Sequence, residues 1–286
     1  MGVKVKIWGC RGSITTPGLD TLRYGGNSTC LEIRSADGQV FVVDAGSGLR
    51  NFGKSLLREQ GISNLRFFLT HPHWDHLVGF PFFEPAYSDR YNITFCSGPH
   101  SQNVIRRYLS RQMESPYFPI DFQYLKANFN YHCNQPKSGN GNCRIGSMEF
   151  SAVPLNHPNG GYGFKFVENG KTFVFLSDNE LDFLHEGGLS KEQYVAFCSD
   201  ADLLFHDAQY TTEEYRCTRG WGHSTYSDAT DLAINANAKH FGLFHHDPER
   251  TDDDLERQVD YCREQISRAG SPVECFPCAE GMVIEL

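Results

Sequence analysis

The stretch Thr70-His-Pro-His-Trp-Asp-His76 sets three imidazoles and a carboxylate within six residues, directly after a short, mostly apolar run, Leu65 to Leu69. Such a run has the length and composition of a buried strand. His71 is therefore expected at the strand's carboxyl end, with the other groups on the loop beyond it. One histidine on a loop is ordinarily a solvated polar residue. Four metal-competent groups at His-x-His-x-Asp-His spacing are hard to account for by packing, because alternate residues leaving a strand face one point while the next two reach another. Nitrogen and carboxylate donors of this kind suit zinc, manganese or iron, so the segment predicts a metal centre at a strand end.

The rest of the chain supplies a scaffold for such a centre. Val3 to Trp8, Cys30 to Arg34 and Gln39 to Val43 read as a β-meander, rich in β-branched residues and broken by Gly and Asp turns. Asn92 to Cys96 and Met148 to Val153 read as strands. Tyr162 to Val167 pairs with Thr172 to Leu176 across the turn signal Asn169-Gly170. Later, helices (Ser190 to Phe197, Tyr226 to Ala238) interleave with strands (Asp202 to Phe205, His240 to Phe244). A long helix to Arg268 is expected to start at a Thr251 cap with Asp254 in the capping-box position. Strands first and helices interleaved later predict two sheets between helical layers. No linker is apparent, so residues 1–286 are expected to form one domain, with 113–142, rich in Pro, Gly and Asn, as an irregular excursion or lid.

Bulk properties narrow the partners. The formal charge of −9 argues against a long nucleic acid, whose binding normally needs a basic surface. A small substrate is expected instead, its charge met by metal ions and a few arginines. No run approaches the roughly 18 apolar residues of a membrane span, and Met1 to Thr15 has no apolar leader region. A cytoplasmic protein without membrane contact is therefore expected. The ten cysteines are scattered, as reduced thiols would be. Cys275-Phe-Pro-Cys278 with Cys133 and Cys143 is a candidate structural zinc site, but such sites usually show two tight pairs, so buried thiols are the preferred reading.

The His71–His76 signature resembles that of the metallo-β-lactamase superfamily, and the order of later motifs is similar over nearly the whole chain. Pro154-Leu-Asn-His157 fits the family's third histidine, Leu176-Ser-Asp178 its bridging aspartate, and Gly242-Leu-Phe-His245 its last histidine. The resemblance implies an α/β (α+β) fold, the four-layer αββα metallo-β-lactamase sandwich. It also implies two divalent metal ions, zinc first, with manganese or iron as alternatives. His71, His73 and His157 would hold one ion, Asp75, His76 and His245 the other, and Asp178 would bridge them. His246 competes with His245, which is preferred because it leaves the strand first. Asp44, in Val-Val-Asp-Ala-Gly, is expected to support the metal loop, with a simple turn role as the other reading.

Leu204-Phe-His-Asp-Ala-Gln-Tyr210 followed by Gly222-His-Ser-Thr225 resembles the tRNA 3′-processing endonuclease Z and its relatives, the phosphodiesterase branch. That resemblance implies that His223 acts on the scissile phosphate and that Asp207 orients it. Asp stands where the family has Glu, and its shorter arm is expected to weaken the contact. His157 and Asp178 are only 21 positions apart, which leaves no room for the basic arm of the tRNA enzyme. The chain therefore looks closer to small-substrate relatives such as cyclic-nucleotide phosphodiesterases and the anti-Pycsar enzymes.

The expected reaction is hydrolysis of a small phosphodiester, such as a cyclic nucleotide, by a hydroxide held between the ions, with catalytic roles for Asp75, His223 and Asp207. A homodimer is expected from the resemblance alone. Thioester or lactam hydrolysis, and a non-catalytic metal-bound nucleotide sensor, stay open. Pro116-Tyr-Phe-Pro119 and Phe82-Phe83 are candidates for a wall that stacks on a base, and Arg11 or Arg219 for a phosphate contact, with core filling as the competing reading of the aromatics.

Overall fold

Antiparallel neighbours need only a tight turn, whereas parallel neighbours need a crossover, usually a helix. Both kinds of connection occur in each half of this chain. The computed structural model describes residues 2–96, 102–131 and 143–286. In the first half β1 (Lys4–Gly9), β2 (Cys30–Arg34) and β3 (Val40–Val43) form an antiparallel meander. α1 (Leu49–Leu57) then carries the chain over to β4 (Asn64–Phe68), which pairs parallel to β3. β5 (Asn92–Phe95) and β6 (Asn128–Asn130) extend the parallel part, with α2 (Gln102–Arg111) between them in the chain.

The second half repeats the plan. β7 (Cys143–Ile145), β8 (Met148–Pro154), β9 (Tyr162–Glu168) and β10 (Lys171–Leu176) run antiparallel. β11 (Leu203–Asp207), β12 (His240–Phe244) and β13 (Glu274–Pro277) follow in parallel. The crossovers are α3 (Lys191–Cys198), then α4 (Thr212–Thr218) with α5 (Tyr226–Asn235), then α6 (Asp252–Arg268). β14 (Val283–Glu285) returns to pair with β1, so the two sheets read β14-β1-β2-β3-β4-β5-β6 and β13-β12-β11-β10-β9-β8-β7.

Strand alternation divides the apolar residues among three layers. Phe41 and Val43 of β3 point between the sheets, while Val40 and Val42 point toward the cluster under α1. The inter-sheet layer is largely phenylalanine. Phe68 sits at its centre, with ring centroids 4.9 Å from Phe150, 5.2 Å from Phe164 and 5.4 Å from Phe166. The outer face of the second sheet is closed by Tyr194 and Cys198 of α3, Leu232 of α5 and Val259 of α6. Two sheets face to face with helices outside are the αββα sandwich that the sequence implied.

Capping sets the helix starts. Thr251 and Asp254 form the expected box, the hydroxyl accepting from the Asp254 amide at 3.1 Å. Ser190/Gln193 and Thr211/Glu214 make two more. α1 has no side-chain cap, starting after Gly48, and was not apparent in the sequence. Where it is described, the 113–142 segment is mostly turns, but Met113 and Phe122 are buried and the three-residue β6 joins the first sheet. Residues 132–142, with Cys133, lie outside the described residues. Cys275 belongs to β13 and Cys143 to β7, at opposite edges of the second sheet, and among the described residues no group of metal-competent side chains includes a cysteine. No helix among them is long and apolar enough to cross a membrane.

Truncating Phe68 opens a void between two sheets that cannot collapse onto each other. Phe68→Ala is expected to lower unfolding free energy by about 3–5 kcal/mol, read as a fall in the midpoint of denaturant unfolding.

Candidate metal centre

The strands that end at one rim deliver the polar residues. β3 runs into Asp44, β4 into Thr70 and His71, β10 into Asp178, β11 ends at Asp207, and β12 runs into His245. Crevices at the carboxyl ends of parallel strands are the usual ligand position in α/β sheets. Asp44 (φ 61), Asp178 (φ 44) and His245 (φ 56) all take left-handed backbone, which turns each chain sharply as it leaves its strand. Non-glycine residues adopt that conformation at a cost, and such residues cluster at functional sites.

The structure brings together all the residues that the sequence singled out as metal ligands. Donor atoms of His71, His73, His157 and Asp178 lie within 4.8 Å of one another, and so do those of Asp75, His76, Asp178 and His245. Asp178 belongs to both groups, and its two oxygens divide between them. Oδ2 faces Nε2 of His71 at 3.4 Å and of His157 at 3.9 Å. Oδ1 faces Nε2 of His76 and of His245, each at 3.2 Å. Asp75 Oδ2 also lies 3.2 Å from both of those nitrogens.

The outer Nδ1 of His71, His76, His157 and His245 is held by a partner that leaves Nε2 facing inward, whereas His73 turns its Nδ1 inward, 3.0 Å from Nε2 of His157. Asp44 accepts from the Thr70 amide and hydroxyl and from His76 Nδ1, each at 2.8 Å. The same Thr70 hydroxyl meets His71 Nδ1 at 3.0 Å. His157 Nδ1 donates to the Gly222 carbonyl at 2.9 Å, and His245 Nδ1 to Gln209 Oε1 at 3.0 Å. Acceptors of this kind fix the tautomer and orient a ligating imidazole. Nε2 of His71 and of His76 are buried and have no hydrogen-bond partner. Orphaned nitrogens among converging carboxylates are what a bound cation would satisfy, and an imidazole–carboxylate set suits a divalent transition metal.

The electrostatics point the same way. Burial opposes charge on His76 and His245, yet the surrounding carboxylates outweigh it: His76 is raised well above the usual imidazole range, and His245 is pushed up to about 9 by Asp178 and its bond to Asp75. Burial, then the neighbouring His76, holds His71 well below that range, and burial brings His157 down to about 4. Asp75 and Asp178 are held far below ordinary carboxylate values by these histidines, against the effect of burial. The centre is thus a buried anionic pair seeking positive charge.

His223 stacks on His245, rings 4.8 Å apart and 15° from parallel. Its Nδ1 donates to Asp207 Oδ2 at 2.9 Å. The shorter aspartate arm therefore reaches the ring, contrary to the weakened contact expected from sequence. Asp207 is fixed in turn by the amides of Asn179 at 3.2 Å and Gln209 at 3.1 Å. A cavity of about 450 Å³ opens at the centre, lined by Ser13, Pro72 and Trp74 together with His73, Asp178 and His223.

His246, the competitor of His245, is turned away, its Nε2 bonded to the Cys278 carbonyl at 2.8 Å. Arg11 does not face the cavity: it is fully buried, and its guanidinium donates to the carbonyls of Gly25, Asp247 and Arg250, fixing the turn after His245. Arg219 instead lies over the Phe183 ring and bonds the Asp182 carbonyl. Phe83 is core, whereas Phe82 and Tyr117 are exposed.

Sequence reasoning also missed Glu180. It is fully buried and accepts from Gly220 N at 2.6 Å, Gly222 N at 2.8 Å, the Tyr215 hydroxyl at 2.6 Å and His185 Nε2 at 2.8 Å. It thereby clamps the loop whose Gly222 carbonyl meets His157 and whose next residue is His223. Gly222 (φ 96) must be glycine, since a Cβ there would lie 2.0 Å from His157 Nδ1. The position of Glu180 two residues after Asp178 was its only sequence signal. The backbone of Ser13, which donates to Asp75 Oδ2 at 2.9 Å, had none.

Beneath Asp207, His206 is buried as the neutral ring, Nδ1 donating to the Asp207 carbonyl and Nε2 accepting from Asn179. Burial lowers its pKa. The unfolded chain then binds a proton first as pH falls through about 6.5, so this histidine contributes stability above that pH and loses it below. The pH slope of unfolding free energy below about 6.5, at most ~1.4 kcal/mol per unit from one proton, should flatten in His206→Gln.

Residues 40–246 match the family described as "Beta-lactamase superfamily domain". Among curated relatives, ribonuclease Z of Latilactobacillus sakei subsp. sakei (strain 23K) is 23% identical, the match covering 81% of this chain and 84% of the relative. The fold is similar to that of the metallo-β-lactamase fold protein YhfI from Bacillus subtilis, with TM-score 0.67, 16% identity and full coverage of both chains. It is also similar to human tRNase Z, short form, with TM-score 0.64, 20% identity and coverage of 99% and 98%. The ribonuclease Z and tRNase Z relatives, nucleases by name, overturn the expectation that an acidic balance excludes a long nucleic acid. Net charge is a sum over the whole surface, while a nucleic acid meets only the local field beside the site. The match over residues 40–246, on a two-sheet sandwich whose strand ends gather these histidines and aspartates, places the chain in the β-lactamase superfamily.

Proposed function

We propose that this chain is a metal-dependent phosphodiesterase with a two-cation centre. The observation that carries the reading is the division of Asp178 between two groups of histidine donors, beside a His223–Asp207 pair that opens on the same cavity. His71, His73 and His157 would hold one cation and Asp75, His76 and His245 the other, with Asp178 placed to serve both. Zinc fits the nitrogen-rich donor set first, with manganese or iron as alternatives. The ribonuclease Z relatives support the phosphodiester as the bond cleaved.

When bound, divalent cations draw charge from a phosphate oxygen and make water a usable nucleophile near neutral pH. The protein's own groups do the rest. Asp44 and Thr70 hold His71 and His76 in place. Asp75, tied by the Ser13 amide, orients the attacking water. Asp207 holds His223 Nδ1–H, and a second proton carried on Nε2 passes to the departing sugar oxygen, leaving the ring neutral. A nucleotide substrate follows from this assignment. The cyclic nucleotide expected from sequence is one candidate, and an RNA strand, after the relatives, is the other.

Purified protein supplied with Zn or Mn should hydrolyse bis(p-nitrophenyl) phosphate, and a chelator should abolish the activity. His223→Ala is expected to lower turnover by about 10²–10⁴ while metal content by elemental analysis stays at the wild-type level. Asp178→Asn should lose metal and turnover together. His223 also lies with Asp207 and His245 in a third compact donor group, so loss of metal in His223→Ala would reassign it to coordination. Cleavage of a thioester but no phosphodiester, or stoichiometric nucleotide binding without consumption, would replace the proposal with the thioesterase or the sensor reading.

A further inference from the structure

Beside the metal cavity lies a second, larger one of about 690 Å³, lined by Pro72, Trp74, Phe82, Tyr108, Arg111 and Tyr117 among others. Pro72 and Trp74 line both cavities, so the two form one continuous surface. Its aromatic rings are presented to solvent: Trp74 is 85% exposed, Tyr117 84% and Phe82 53%. Side chains that filled a core would be buried, and Phe83, next to Phe82, is. Exposed rings clustered in a cleft are surfaces on which a planar, apolar-faced group can stack.

The helix beside this cleft carries the complementary charge. α2, Gln-Asn-Val-Ile-Arg-Arg-Tyr-Leu-Ser-Arg, has three arginines and no acidic residue, in a chain of net charge −9. Arg107 and Arg111 are four apart and share a helix face, and both are exposed. Arginines Arg23, Arg34, Arg250, Arg257, Arg263 and Arg268 pair with carboxylates. Among the described residues neither Arg107 nor Arg111 does, and neither do Arg50, Arg58 and Arg216, but of these only Arg111 lines the cleft, with Arg107 one turn away on the same face. Stacking rings with unpaired arginines beside them are the two elements by which proteins hold single-stranded nucleic acid, the rings taking bases and the guanidinium groups taking phosphates. A cyclic mononucleotide has one phosphate, which the metal centre would occupy, and would leave these arginines without a partner.

We infer that this aromatic cleft and the Arg107–Arg111 face of α2 seat unpaired nucleotides of a single-stranded nucleic acid whose scissile phosphate lies over the metal centre. The direction of the strand rests on the phosphodiesterase reading, while its binding is measured without turnover. The probe is a fluorescein-labelled, cleavage-resistant phosphorothioate oligouridylate of about eight nucleotides, titrated with metal-loaded protein and followed by anisotropy. Tyr117→Ala, and separately the double variant Arg107→Ala/Arg111→Ala, should each weaken binding about tenfold. The double variant should also flatten the salt dependence of log K, by about 0.7 for each phosphate that is no longer neutralised. Arg268→Ala, the same charge change on α6, should leave affinity as it is. Thermal melting checks that each variant is folded.

Affinities within twofold of wild type in both cleft variants, or an equal loss in Arg268→Ala, would overturn the inference. So would a wild-type dimer in sedimentation that Trp74→Ala dissociates with no change in oligouridylate affinity, since the cleft would then be a contact between copies of this chain. Oligouridylate binding that responds as expected, in a protein that leaves bis(p-nitrophenyl) phosphate intact, would sink the hydrolytic reading and leave the cleft standing.

Discussion

The carboxylate of Asp178 sits fully buried between two sets of imidazoles, and the architecture around it is organised by that fact. An ionised carboxylate removed from water is sustained only by partners that return what hydration supplied. Here Oδ1 and Oδ2 each face two ring nitrogens, and Asp75 adds a second buried anion to one side. Five imidazoles and two carboxylates in one place are stable only with cationic charge among them. A divalent ion bound there would supply it.

Precision in that arrangement comes from groups that touch no cation. Asp44 ties the loop before His71 to His76 through Thr70, so one carboxylate sets two rings at once. Glu180 does the corresponding work from the other sheet, gathering Gly220, Gly222, Tyr215 and His185 so that a backbone carbonyl meets His157 and His223 falls beside Asp207. Arg11 closes a third side by holding the turn beyond His245 from below. Each such residue is buried, and each satisfies backbone groups, the Thr70 amide for Asp44, two glycine amides for Glu180 and three carbonyls for Arg11. The positions of the histidines are therefore consequences of a hydrogen-bonded rim.

Charge reads differently at the two scales. A total of −9 describes a surface average, and three of the 35 acidic residues stand together in the first turn of α6, where Asp252, Asp253 and Asp254 complement the helix dipole and meet Arg23 and the backbone. The cleft next to the metal cavity is bordered by the acid-free face of α2 instead. The mistaken exclusion of long nucleic acids came from using the sum where the local arrangement governs.

Much of this protein was legible one residue type at a time. Alternating apolar runs announced most of the strands, Thr251 and Asp254 announced the last helix, and the His71–His76 loop announced its chemistry, because those signals are local and lie in contiguous sequence. Short edge strands such as β6 and β14, and the uncapped α1, carry too little periodicity to stand out. Cys275-Phe-Pro-Cys278 lies in and just after β13, at the sheet edge opposite Cys143, so among the described residues the two do not join in a metal site. What the chain determined alone was the inventory of donors and the elements that would carry them. Which nitrogen of each ring faces inward, that His245 joins the centre while His246 turns away, that Arg11 is buried, and that Glu180 clamps the His223 loop were decided only by packing, because each depends on groups tens to hundreds of positions apart meeting at a rim that exists only once both sheets have formed.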